Sequence, residues 1–187
     1  MAIEFVTRVV TILRDLEIPY MVVGSFSTNV HGTPRSTKDA DFVIELGSRS
    51  ILEISQQLGS DFTLEPQMSF ETVTGTMRYR VTHPATSFVI EFFLLSDDPH
   101  DRERFQRRLS GDIGDGKSTF VPTAEDVIIT KLRWSKHGLR QKDVLDAAAV
   151  IAVQAGRLDL EYIRRWCDLH GTRELFEAQL REQPRIE

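Results

Sequence analysis

Apolar positions change period three times along the chain. From Ile3 to Leu16 the residues Phe5, Val9, Ile12, Leu13 and Leu16 recur at helical spacing, which predicts an amphipathic first helix ended by Pro19. Tyr20 to Val23 is a short continuous apolar run before Gly24 and reads as a buried strand; Ser25 then opens a helical segment whose free backbone N–H groups suit phosphate oxygens. Strict alternation follows. Asp39 and Asp41 share one face of a strand while Ala40, Phe42, Ile44 and Leu46 form its apolar back.

Ser48 to Leu58 predicts a second helix closed by Gly59, and strand-prone pieces at 62–65, 70–73 and 76–82 are separated by Pro66 and Gly75. Phe88 to Leu95 is the most apolar strand. Ser96 to Thr119, charged and glycine-bearing, reads as a connector with a short helix around Arg102 to Leu109. Its acids and glycines at 112–116 lack the distal glutamate of a calcium loop. The last third is helical: Thr123 and Asp126 form a cap before Val127, Ile128 and Leu132, Gly138 breaks that helix, Gln141 to Ala155 is apolar nearly all round, and two helices follow at 159–169 and 172–180 before a polar tail. The resulting fold class is α/β (α+β): a short, mixed, twisted sheet with helices on one side over residues 1–121, and a C-terminal helical region over 122–187 packed on it.

Composition narrows this picture. A length of 187 residues suffices for a buried core, and a net charge of −5 argues against a protein that coats nucleic acid by charge alone. The arginines at 35, 78, 80, 102, 104, 107 and 108 read either as a solvated surface or as phosphate readers. Cys167 is the only cysteine, which excludes a disulfide framework and fits a reducing cytoplasm. No apolar run reaches membrane-spanning length, and Glu4, Arg8 and Arg14 interrupt the first helix too often for a signal peptide.

Three acids and one lysine carry the candidate chemistry. Asp39 and Asp41 repel each other side by side, and a divalent cation relieves that repulsion; Mg²⁺, with Mn²⁺ as the alternative, commonly takes one or two carboxylates plus substrate phosphates. Glu91 lies among apolar neighbours in its strand, and it is either salt-bridged to Arg78 or Arg80 on the next strand or the third carboxylate of the cation site. Lys131 stands inside an apolar helical stripe, where it either snorkels to water or reaches a buried anion. Asp143 and Asp146 complement a helix N-terminus and suit salt bridges to Arg140 or Lys131.

The gapless string Gly24-Ser25, His31-Gly32, Pro34-Arg35, Thr37, Asp39-x-Asp41 resembles the nucleotidyltransferase superfamily with the DNA-polymerase-beta-like core. More closely it resembles the bacterial abortive-infection and toxin-type branch, with further likeness at 123–131 and in Lys142-Asp143-x-x-Asp146. The resemblance implies an enzyme that moves a nucleoside monophosphate from a nucleoside triphosphate such as ATP to a hydroxyl. It implies Asp39, Asp41 and Glu91 as catalytic metal ligands, Glu91 standing where relatives often have aspartate. Gly24, Ser25, Arg35, Thr37, Lys131 and Asp143 would bind the nucleotide, with Asp143 orienting Lys131, and His31 would only shape its turn. Acceptors of the family include the 3′ end of a tRNA, a small molecule or a protein side chain, and the toxin-type branch adds an antitoxin as a partner. Two other readings explain part of the pattern: a metal-dependent nuclease accounts for the paired aspartates alone, and a nucleotide- or protein-binding module without turnover keeps the fold but not the reaction.

Overall fold

The computed structural model describes residues 2–138 and 141–182. Helix α1 (Ala2–Asp15) buries Val6, Val9, Val10 and Leu13 on one stripe, and its chain turns at Glu17, whose positive φ precedes Pro19. Strand β1 (Tyr20–Val23) leads directly into α2 (Gly24–His31), and β2 (Asp39–Ile44) returns antiparallel to β1. Helix α3 (Ile51–Leu58) starts on a reciprocal cap in which Ser50 and Glu53 satisfy each other's backbone N–H groups. Strands β3 (Thr63–Leu64), β4 (Ser69–Glu71), β5 (Thr76–His83) and β6 (Phe88–Leu94) complete a six-stranded mixed sheet in the order β1-β2-β6-β5-β3, with β4 also pairing with β5. The single parallel pair, β2 with β6, sets Asp41 opposite Glu91.

Alternation decides what each face of the sheet meets. Ala40, Phe42, Ile44, Ile90 and Phe92, all fully buried, pack with α1 and α3 in the main core. The other face carries Val23, Val43 and Phe93, which pack with Phe105 of α4 (Pro99–Gln106) and with Trp134 of α5 (Ala124–Gly138). Helices α5, α6 (Gln141–Val153), α7 (Leu160–His170) and α8 (Arg173–Glu182) share a second apolar cluster, including Ile128, Leu132, Val150, Ile163 and Phe176. Below it, the fully buried Asp126 accepts from Tyr162, Thr123, His100 and Arg107, so every lone pair facing the core is used.

Two expectations change. The connector expected with a short helix around Arg102 to Leu109 carries that helix three residues earlier, as α4, and then forms a hairpin, β7 (Leu109–Asp112) with β8 (Ser118–Val121). The strand piece expected at 70–73 ends at Glu71, because the Glu71 carboxylate accepts from the N–H groups of Val73 and Thr74 and turns the chain. Arg140, an expected partner of Asp143 and Asp146, and the tail after Glu182 lie outside the described residues. Among the described residues, no helix is long and apolar enough to cross a membrane.

Candidate active site

Gly24 is fixed by the carboxylate opposite it. Its φ is +63°, and a Cβ there would lie 1.9 Å from Asp41 Oδ2 and 2.9 Å from its Cγ, so only glycine allows strand and helix to meet this closely. The hydroxyls of Ser27 and Thr28 both donate to the Gly24 carbonyl at 3.0 Å, which tightens the first turn of α2 beside Asp41. Ser25 is buried and points elsewhere: its Oγ accepts from Arg35 Nη2 at 3.0 Å.

The carboxylates differ in their surroundings. Asp39 is exposed, and its Oδ1 accepts from Thr37 Oγ1 at 2.5 Å. Asp41 is half-buried and meets no hydrogen bond or ion pair to its carboxylate among the described residues. Burial first, and then the charges of Asp39 and Glu91, push its carboxyl up to about 7, against a partial pull downward by Lys131 and Arg78. Glu91 is held by an ion pair to Arg78 at 3.4 Å and one to Arg80 at 3.1 Å, while Arg80 also reaches Glu65 at 3.0 Å. Both arginines weighed from the sequence as its partners are therefore engaged. Among the described residues, no three His, Cys, Asp or Glu side chains converge as a ready-made metal site.

Facing the sheet, Lys131 of α5 is clamped by two carboxylates of α6, Asp143 Oδ1 at 2.9 Å and Asp146 Oδ2 at 2.8 Å. Asp146 in turn accepts from Arg35 Nε at 3.2 Å and Nη2 at 3.0 Å. Burial pushes the Asp146 carboxyl up, but the hydrogen bonds from Arg35 and Lys131 outweigh it and hold the group below the usual carboxylate range. The chain Ser25–Arg35–Asp146–Lys131–Asp143 thus ties the Gly24 turn to the C-terminal helices. His31, whose imidazole burial pushes below its usual value, adds a second tie through Nε2 to the Pro122 carbonyl at 2.7 Å.

Gly24, Asp39, Asp41, Glu91, Lys131 and Asp143 line one cavity of about 180 Å³ between the sheet and α5. Ser25, Arg35 and Thr37 do not. Arg35 and Thr37 instead line a shallow groove beside α2. Sequence reasoning missed Ser27, Thr130, Trp134, Asp101 and Arg104 on its walls. Trp134 was within reach: with Val127 and Lys131 it completes an i, i+4, i+7 stripe. Nothing local marks Arg104, which α4 brings in from a segment without apolar periodicity.

No family model and no curated protein matches the sequence. Solved structures do match along nearly the whole chain. The antibiotic-resistance factor ANT(2″)-Ia in solution is 12% identical, covering 95% of this chain and 92% of its own with a TM-score of 0.59. The crystal structure of ANT(2″)-Ia with adenylyl-2″-tobramycin is 10% identical, covering 92% and 98% with a TM-score of 0.61. An antigenic nucleotidyltransferase-like protein from Paracoccidioides brasiliensis is 18% identical, covering 97% and 92% with a TM-score of 0.53. The chain has the nucleotidyltransferase fold, and at these identities the likeness extends to the fold alone.

Proposed function

We propose that this chain is a Mg²⁺-dependent nucleotidyltransferase, which transfers a nucleoside monophosphate from a nucleoside triphosphate to a hydroxyl and releases pyrophosphate. One observation carries the reading: Asp41, a half-buried carboxylate set against Gly24 and opposite Glu91, is raised to about 7 by burial and by its acidic neighbours Asp39 and Glu91. A site that keeps such uncompensated charge beside a glycine turn and a lysine suits a divalent cation together with the phosphates it neutralises. Asp39 and Asp41 would hold Mg²⁺, or Mn²⁺ in its place, which supplies charge neutralisation at the phosphate oxygens when bound.

The chain's own groups do the rest by position and charge. The first turn of α2, drawn close to Asp41 by Gly24, offers backbone N–H groups to phosphate oxygens, with the Ser27 hydroxyl on the same wall. Lys131 supplies the facing positive charge, and its two aspartates fix where that charge sits. The acceptor hydroxyl attacks the α-phosphorus, a new P–O bond forms, and the α–β bridging bond breaks so that pyrophosphate leaves with the charge. Asp39, exposed beside Thr37 at the mouth, receives the hydroxyl proton in this scheme. Glu91 serves by holding Arg78 and Arg80, which occupy its carboxylate, and by raising Asp41. Arg35 and Ser25 position the turn from behind. The acceptor is a small molecule, a tRNA end or a protein side chain; the complex of ANT(2″)-Ia with adenylyl-2″-tobramycin supports the small-molecule class.

Glu91 also favours a second reading, a nucleotide-binding module without turnover, because its engagement by two arginines removes one candidate base. Thermal unfolding with each ribonucleoside triphosphate, with and without Mg²⁺, separates the readings in combination with a search for labelled product. A ligand at a hundredfold excess over its Kd stabilises by about 2.7 kcal/mol. A Mg²⁺-dependent rise lost in Asp39→Ala/Asp41→Ala supports the site, labelled acceptor supports transfer, and no rise with any nucleotide removes the proposal.

A further inference from the structure

Beyond Lys131 the cavity changes character. Two residues along β2 and β6 from Asp41 and Glu91, the paired Val43 and Phe93 line it with Thr130 and Trp134 of α5, Arg104 of α4 and Arg78 of β5, whose guanidinium lies 5.8 Å from the Phe93 ring centroid and is paired with Glu91. Trp134 and Phe93 meet edge to face, with centroids 6.1 Å apart and an interplanar angle of 87°, so the two rings form a corner. Arg104 is a buried cation, 6% exposed, yet it brings almost no net charge to this wall. Its Nε and Nη2 lie 2.6 and 2.5 Å from Oδ1 of Asp101, itself 2% exposed. Asp101 Oδ2 is taken by the backbone N–H of Ser96 at 3.1 Å and its hydroxyl at 2.7 Å. What remains of Arg104 is Nη1, which makes only a long hydrogen bond, 3.3 Å, to Thr130 Oγ1.

A phosphate does not belong there. It would lose its water against apolar walls and face guanidinium groups that already have carboxylate partners, Arg104 with Asp101 and Arg78 with Glu91, whereas the α2 turn and Lys131 act beside Asp41. A flat, uncharged heterocycle with acceptor atoms on its edge fits both the corner and the donor. We infer that this part of the cavity is a nucleobase pocket, in which the base packs into the Trp134–Phe93 corner and its acceptor edge is read by Arg104 Nη1 and Thr130 Oγ1. This inference rests on the proposed nucleotidyltransferase reading and names which groups select the base. A guanidinium with a fixed partner is suited to the task, since Asp101 holds its plane through Nε and Nη2 while Nη1 reaches Thr130 Oγ1 on the cavity lining.

Equilibrium binding in Mg²⁺ tests this, with the four ribonucleoside triphosphates and inorganic triphosphate as probes. The expected result is that at least one nucleotide binds about tenfold or more tighter than inorganic triphosphate, a gain typical of one stacked base. Trp134→Leu is expected to erase most of that gain, and Thr130→Val, which keeps volume, to change the ratio among the four bases by several-fold. Inorganic triphosphate binding with no added gain from any base overturns the pocket and leaves the proposed function standing. Wild-type base ratios in a folded Thr130→Val variant, together with an unchanged gain in Trp134→Leu, also overturn it. Failure of every probe to bind overturns both.

Discussion

Replacing Asp41 by asparagine removes the charge that the apoprotein holds least comfortably, so the variant is expected to be more stable than the parent. A carboxyl raised in the folded state binds its proton more tightly there than in the unfolded chain. Stability therefore falls as pH rises from about 4, where the unfolded group ionises, to about 7, where the folded one does, and is flat beyond. At about 1.36 kcal/mol for each pH unit, the displacement from 3.8 to about 7 corresponds to about 4 kcal/mol. Water reaching a half-buried carboxylate screens part of this, leaving about 2–4 kcal/mol, or roughly 5–15 °C for a chain of this size. Asparagine keeps the shape beside Gly24, where a larger group would clash. The assay is urea unfolding with a chelator at pH 5 and pH 8. Asp41→Asn should exceed the parent clearly at pH 8 and much less at pH 5. Adding Mg²⁺ with nucleotide should stabilise the parent and leave the variant unmoved. Equal stability of the two proteins at pH 8 would refute the charge argument, whatever the activity of the variant.

Gly24→Ala meets a left-handed φ, which costs about 1–2 kcal/mol for an L-residue, and a Cβ 1.9 Å from Asp41 Oδ2, so it should lower the melting temperature and lose nucleotide binding together. Lys131→Met leaves Asp143 and Asp146 with one cation fewer and is expected to cost about 3 kcal/mol in urea unfolding while abolishing the nucleotide-dependent rise in melting temperature. Arg35→Ala removes two hydrogen bonds to Asp146 and one to Ser25 but leaves Lys131 in place, for an expected loss of about 1–3 kcal/mol. Because the Asp146 carboxyl is held below its ordinary value, the stability it contributes is present above about pH 4 and is lost as pH falls through its folded value; an acid titration of Arg35→Ala should therefore begin to unfold at a higher pH than the parent. Asp126→Ala strands Tyr162, Thr123 and His100 in the helical core and should cost about 3–5 kcal/mol without touching the cavity, a separation read by comparing melting temperature with nucleotide affinity.

The parts of this molecule legible in sequence are those set by local periodicity. Alternation in β2 gave the two aspartates one face, and the β2–β6 register puts Asp41 beside Glu91 on that face. The Lys131–Asp143 pair was legible because Lys131 broke an apolar stripe and Asp143 headed the next helix. The β7–β8 hairpin was not: Leu109 and Phe120 are exposed while Gly111 and Thr119 are buried beside Val121, so hydrophobicity does not follow burial along it and no alternation marks it. Arg104 was illegible for a related reason. Its helix has almost no apolar face of its own and is held by side-chain partners, Asp98 at its N-cap and Asp101 within it.

Ser25 and Arg35 show how spacing identifies residues without fixing their direction. Both lie in the string that carries the family resemblance, yet they face each other at 3.0 Å behind the turn and leave Ser27 on the cavity wall. An α2 that begins at Gly24 rather than after it explains this. Starting one residue earlier rotates the first turn so that the second hydroxyl-bearing position, Ser27, and not the first comes round beside Asp41, about 100° per residue being enough to exchange inside for outside over two positions. The same rotation hands Ser25 to Arg35, and through Arg35 to Asp146, so the turn that faces the phosphates is braced by the acid that also clamps Lys131. The two sides of the cavity are therefore set by one ion-pair chain, and a change at Arg35 should move both.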